Sequence, residues 1–178
     1  GLVTRQPRRG TFVTGMTLRD AEEIYSLRQP LEMLAMDYAI QNATDAQLDQ
    51  LDAIVDKMVL LLQGKFTQVQ ATQLDMEFHD LLYTISGHRR LQVAWATLRG
   101  QVSVLILLHR RLSPTDFWEH AIPFHREIVA CLRRRDAAMG HTTIQKHLAM
   151  SYDTVAAGVR QVEARYGTPQ DTEWGVDE

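Results

Sequence analysis

The sequence lacks most of the features that mark a specialised protein. It has one cysteine in 178 residues, so no disulfide can close within the chain. That thiol, Cys131, stands beside Ile128, Val129 and Leu132 and reads as a small core residue. No apolar run approaches the ~18 residues needed to cross a bilayer; the longest, from Val102 to Leu108, is far too short. The N-terminus has no apolar stretch of the signal-peptide kind. Both absences lead us to expect a cytoplasmic protein with no membrane partner. There is also little charge of one sign. Lys and Arg number 19 against 22 Asp and Glu, a net charge of −3, which gives the bulk of the chain no electrostatic reason to bind nucleic acid. Repeats and low-complexity stretches are missing as well.

What is present is the composition of a soluble domain, 45% hydrophobic and 23% charged. A chain of this length removes roughly 70% of its unfolded surface from water and builds a real core. Residues 1–14 stand apart from the rest. Gly-Leu-Val, Arg-Gln-Pro-Arg-Arg-Gly and Thr-Phe-Val read as strand, turn and strand, with Pro7 and Gly10 in the turn. Arg5, Arg8 and Arg9 make this the one basic segment. A lone hairpin is marginal in water, so the opening residues read as the end of a module whose other elements lie upstream.

From Thr17 the hydrophobic period becomes helical, and six helices are expected. The first covers 18–41, with Ile24, Leu27, Leu31, Leu34 and Tyr38 in steps of three and four and an irregularity expected at Pro30. The second covers 44–63, opened by a Thr44/Gln47 capping box and ended by Gly64. The third covers 66–86 and the fourth 88–111. The fifth starts after Ser113-Pro114 and ends in Arg133-Arg134-Arg135, and the sixth covers 136–164. The acidic tail, 165–178, is expected to be disordered. Short connections between successive helices predict an all-α antiparallel bundle over 17–164.

Four polar residues are set to meet inside that bundle. Asp75 and His79 are four apart on the third helix, so they point about 40° from each other on one face. His125 lies in the apolar stripe of the fifth helix among Ala121, Ile122, Ile128, Val129 and Leu132. His147 on the sixth shares its side with Thr143, Ile144, Ser151 and Thr154, a mixture suited to a polar guest. His125 and His147 are equally far from a turn near Asp136, each roughly 16 Å along its helix at 1.5 Å per residue. They are therefore level and can face each other. Three imidazoles and a carboxylate suit Zn, Ni, Mn or Fe, and ligand type alone does not choose among these. A buried Asp–His hydrogen-bonded cluster without metal remains open at this point. Of the other histidines, His88, His109, His120 and His141 are expected on the solvent side.

These residues also carry a family resemblance. Leu74-Asp75-Met76-Glu77-Phe78-His79-Asp80-Leu81-Leu82, followed by Ser86-Gly87, resembles the Asp-x-x-Phe-His-x-x-Leu…Ser-Gly signature of the FCD domain, the effector-binding domain of the FadR branch of GntR regulators. Arg28-x-x-Leu31-Glu32, His125-Arg126-Glu127-Ile128 and Lys146-His147-Leu148 resemble further segments of that family, in the same order. Residues 1–13 resemble the wing that closes a GntR winged helix-turn-helix. One departure is His88, where the family commonly has asparagine.

The resemblance implies a divalent metal, Zn foremost, on Asp75, His79, His125 and His147. It also implies a small carboxylate effector reaching toward the metal, a homodimer, and operator DNA as partner of the full-length regulator. Arg28 is the effector-binding cation by motif. Helix register adds Arg99 and Ser103 as further effector contacts, with a surface position for Arg99 the competing reading. Arg8, Arg9 and Gly10 would be the DNA-touching wing tip; without a recognition helix the chain should not read DNA specifically. Two other functions stay open: a metal-assisted hydrolase, weakened because Glu77 and Asp80 project away from the cluster, and a structural metal module.

Overall fold

The computed structural model describes residues 3–6, 10–13, 16–110 and 116–167. Six helices form in the expected order: α1 (Leu18–Asn42), α2 (Asp45–Leu62), α3 (Gln68–Ile85), α4 (Arg89–Arg110), α5 (Asp116–Arg134) and α6 (Ala137–Tyr166). Their starts are written in the sequence. Thr17 with Asp20, Thr44 with Gln47 and Thr67 with Gln70 each form a reciprocal capping box, so two exposed donors at each helix start are satisfied locally. α1 runs through Pro30 as one helix. Two short strands, β1 (Val3–Gln6) and β2 (Gly10–Val13), pair antiparallel with Val3 opposite Val13 and Gln6 opposite Gly10. Arg8, Arg9 and the tail from residue 168 lie outside the described residues.

Consecutive helices α2–α3, α3–α4 and α5–α6 pack as hairpins, and α1 lies against α3, α4, α5 and α6. The apolar interior falls into two main clusters. One gathers Met36, Leu48, Phe78, Ile128, Leu132 and Ile144. The other gathers Ile24, Tyr25, Trp95, Val102 and Val155. The buried polar residues Arg28, Glu32, Asp75, His79, His125 and His147 come from α1, α3, α5 and α6; α1, α3 and α6 contribute to both clusters, while Ile122, Ile128 and Leu132 of α5 belong to the first. The bundle thus has a polar seam between two dry halves.

The α5–α6 turn sets the register of that seam. Asp136 N–H donates to the Cys131 carbonyl at 3.0 Å and Arg135 N–H to that of Leu132 at 3.2 Å, the paired bonds of a Schellman ending. The left-handed position usually filled by glycine is Arg135, at φ 56°. Its guanidinium compensates by donating to the carbonyls of Ile40 and Ala43, the latter at 2.8 Å, at the C-terminal end of α1. Asp136 then caps α6 by accepting from Met139 N–H at 3.0 Å. Replacing Arg135 by alanine keeps the backbone strain and removes both caps, and should cost about 1–2 kcal/mol. Arg135→Gly should cost less, because relief of the left-handed strain offsets roughly 1 kcal/mol. Chemical denaturation of both variants decides this; a glycine variant less stable than the alanine one would refute it.

Candidate metal centre

His125 and His147 meet as the hairpin register requires, with ring centroids 4.6 Å apart. His79 completes the set from α3, with its centroid 5.5 Å from each of theirs. Asp75, one turn before His79, brings Oδ1 to 3.3 Å from His125 Nε2. Asp75, His79, His125 and His147 are all buried, and each offers a ligand atom within 4.8 Å of the others. Phe78 packs its ring edge-on against His125 at 4.5 Å and His79 at 5.6 Å, forming an apolar wall.

Hydrogen bonds behind the rings fix which nitrogen faces the centre. His125 Nδ1 lies 2.9 Å from the Ala121 carbonyl. A carbonyl only accepts, so Nδ1 carries the hydrogen and the Nε2 lone pair points at the cluster. His79 is held by two residues of α1. Arg28 Nη2 lies 2.8 Å from His79 Nε2, and Arg28 only donates, so Nε2 is the acceptor. His79 Nδ1 then carries the hydrogen; it lies 3.2 Å from Glu32 Oε2, close enough for charge attraction, though neither atom has a hydrogen-bond partner among the described residues. Glu32 Oε1 in turn accepts from Arg28 Nε at 2.5 Å. This is a closed Arg28–Glu32–His79 triangle, fully buried.

The triangle explains its own charges. Burial works against the Glu32 carboxylate, but the Arg28 guanidinium and then His79 overcome it and hold the carboxyl at about 2. Burial likewise opposes the Arg28 cation, and Glu32 more than restores it. His147 has no such rescue. Burial first, then the neighbouring His125 and His79, push its imidazole well below the ordinary 6.5. His147 is therefore a neutral ring with a lone pair to give, the form a metal needs.

Other residues proposed from sequence fall differently. Arg28 joins the cluster. Arg99 does not: it is exposed and both oxygens of Asp80 accept from its Nε at 2.8 Å. Asp80 also accepts from Trp95 Nε1 at 2.6 Å, and this carboxylate draws Arg99 to the surface side of α4. Ser103 is half-buried, and no described contact brings it to the cluster. Gly10 opens β2. The hydroxyls beside His147 are already satisfied. Thr143 and Thr154 donate to the carbonyls of Met139 and Met150, and Ser151 lies 2.7 Å from the Tyr25 hydroxyl. Glu77 is exposed and lies 3.9 Å from Lys57. His120 is exposed, while His88 and His141 are half-buried. His88 accepts from Leu91 N–H at the start of α4, and His141 pairs with Asp37 at 2.7 Å.

Two site residues were not singled out from sequence. Glu32 was visible only as the partner four residues beyond Arg28. Tyr83 lies four residues after His79, so on the same face of α3, and stacks on Trp95 at 4.9 Å. Its hydroxyl is buried with no hydrogen-bond partner among the described residues. Burial raises its pKa, and Glu32 raises it further.

Comparison with known proteins agrees with this architecture. Residues 23–150 match the FCD domain. The chain belongs to the FCD domain family. Among curated relatives, it is 30% identical over 92 residues to an uncharacterised HTH-type transcriptional regulator of Bacillus subtilis, YdhC, covering 52% of this chain and 41% of that protein. It is 24% identical to the HTH-type transcriptional repressor RspR of Escherichia coli, over 91% of this chain and 68% of that one. Among solved structures, McbR/YncC of E. coli superposes with a TM-score of 0.79 at 19% identity, over 90% of this chain and 78% of that one.

The buried groups make stability pH-dependent in a defined direction. His147 stays neutral in the fold while the unfolded imidazole takes a proton, so its contribution is complete above about pH 6.5 and is lost as pH falls below it. The Glu32 contribution is complete above about 4.5 and is lost as pH falls toward 2. Denaturation curves of the metal-free protein should therefore weaken in two stages. Stability that stays flat from pH 7 to 5 contradicts the first. Tyr83→Phe should leave stability unchanged or raise it by up to about 1–2 kcal/mol, since a desolvated hydroxyl with no partner is removed. A clear loss in its thermal melt would show that the hydroxyl has a structural partner.

Proposed function

We propose that this FCD domain is the sensor of a GntR-type transcription regulator, binding a divalent metal, Zn foremost with Ni, Mn or Fe as alternatives, on Asp75, His79, His125 and His147. The observation that carries it is the convergence of three imidazoles and a carboxylate in the buried interior, beside the Arg28–Glu32 pair. Polar groups are not buried together without compensation. Here His125 Nε2 and His147 Nδ1 have no hydrogen-bond partner among the described residues, and both are atoms that a metal would satisfy. The donor set fits a first-row divalent ion. Such an ion would supply an electrophilic point for the carboxylate of a small-acid effector. Arg28, the buried guanidinium beside it, would hold that acid's oxygens, and the Tyr83 hydroxyl is a further buried donor available to it.

The regulatory reading rests on relatives named as HTH-type regulators and a repressor. The chain spans 41% of the first of these and 68% of the second, so DNA binding belongs to the whole regulator. In that whole, the β1–β2 hairpin would be the wing of the DNA-binding module, with Arg8, Arg9 and Gly10 near phosphates, and the bundle would dimerise. A hydrolytic role has less support, because Glu77 and Asp80 are engaged elsewhere. Among the described residues no helix is long and apolar enough to cross a membrane.

Metal content measured on the purified domain should approach one divalent ion per chain after loading with Zn. The His125→Ala/His147→Ala pair should lose it by at least 100-fold in affinity while remaining folded. Undiminished binding in that variant sinks the metal assignment.

A further inference from the structure

Arg28 and the metal ligands compete for one lone pair. In the described structure Arg28 Nη2 donates to His79 Nε2 at 2.8 Å. A guanidinium only donates, so His79 has a single sp² lone pair on Nε2 and its hydrogen on Nδ1, which lies 3.2 Å from Glu32 Oε2. That lone pair cannot serve a guanidinium and a metal at once. From this we infer that Arg28 and a metal ion take turns on His79, and that loading the site turns the Arg28 guanidinium from an internal plug into an anion receptor. The inference rests on the metal-binding reading above and adds an order to it: metal first, oxyanion second.

The surroundings favour such an exchange. Arg28 need not leave Glu32, because its Nε–Glu32 Oε1 bond at 2.5 Å uses a different nitrogen from the one on His79. The guanidinium carbon lies 5.7 Å from the Tyr25 ring centroid and 5.6 Å from that of Trp95. Both rings attract a cation wherever it rests over them, so the group can pivot on Glu32 and keep its charge compensated. After the pivot, its Nη2 donors lack the imidazole they had. A buried donor without a partner is costly, and a carboxylate or similar oxyanion is the ligand that removes this cost by accepting from two nitrogens together. Tyr83, which stacks on the same Trp95 and has a buried hydroxyl, would stand ready as another donor. Metal and oxyanion are then linked, each tightening the other by the same factor.

The test uses the whole chain, Zn as the metal and acetate as the oxyanion probe. In a crystal of the Zn-loaded protein, Arg28 Nη2 should lie beyond hydrogen-bond distance of His79 Nε2 while Nε stays on Glu32. In solution, Arg28→Met should bind Zn at least tenfold more tightly than the native chain, since the competitor and a like charge are both gone. Zn should raise acetate affinity at least tenfold in the native chain and much less in Arg28→Met. Native protein that binds Zn with Arg28 still on His79 Nε2 overturns the exchange and leaves the metal site standing. So does a folded Arg28→Met variant with equal or weaker Zn affinity. Native protein that binds no Zn overturns both readings. Should Arg28→Met fail to fold, the native crystal and the native Zn–acetate linkage still decide, because neither uses a variant.

Discussion

Burying Arg28 and Glu32 side by side is the constraint on which the rest of the structure turns. Neither charge could stay in the interior alone. Together they close a triangle with His79, and this ties α1 to α3 at the centre of the bundle. The remaining centre carries Asp75, which leaves the described seam with one more carboxylate than guanidinium. A low-dielectric seam with that balance, and with unpartnered ring nitrogens on His125 and His147, would favour a cation. The same residues that make the seam electrostatically incomplete make it chemically receptive.

Part of this was legible before any coordinates. Asp75 and His79 share a helix face by spacing alone. His125 and His147 become level because the intervening turn is tight, and the turn is tight because Arg135 accepts a left-handed conformation and is held there by the end of α1. Helix starts were legible for a similar reason: Thr44 and Gln47 make their capping box within one turn and need no help from the rest of the fold. Local and hairpin geometry is set by a few consecutive residues, so a sequence can be read for it.

What was not legible depended on which of several partners a side chain would choose. Arg99 sits at a position from which it could turn inward or outward, and Asp80, on a different helix, settles the choice. Thr143, Ser151 and Thr154 promised a polar lining, yet two of the hydroxyls are taken by carbonyls of their own helix and the third by Tyr25. Helical threonines have that carbonyl within reach four residues back, so their presence on an inner face says little about a guest. Tyr83 was missed for the opposite reason. A tyrosine in an apolar stripe looks like core, and only its environment shows that the hydroxyl went in without a partner.

The seam also bears on how a ligand at this point could move the protein. Two dry clusters, one built around Met36, Phe78 and Ile144 and the other around Trp95, Val102 and Val155, meet along it. A close-packed apolar core resists gradual deformation, whereas a polar seam can exchange one set of hydrogen bonds for another at little net cost. A ligand held in the seam would touch α1, α3, α5 and α6 together, and it would be able to prefer one relation between the two halves without breaking either. Such a preference is the differential affinity that a population shift requires. Because α1 carries Arg28 and Glu32 while also lying against four of the other five helices, it is the element through which a change at His79 would reach the rest of the bundle.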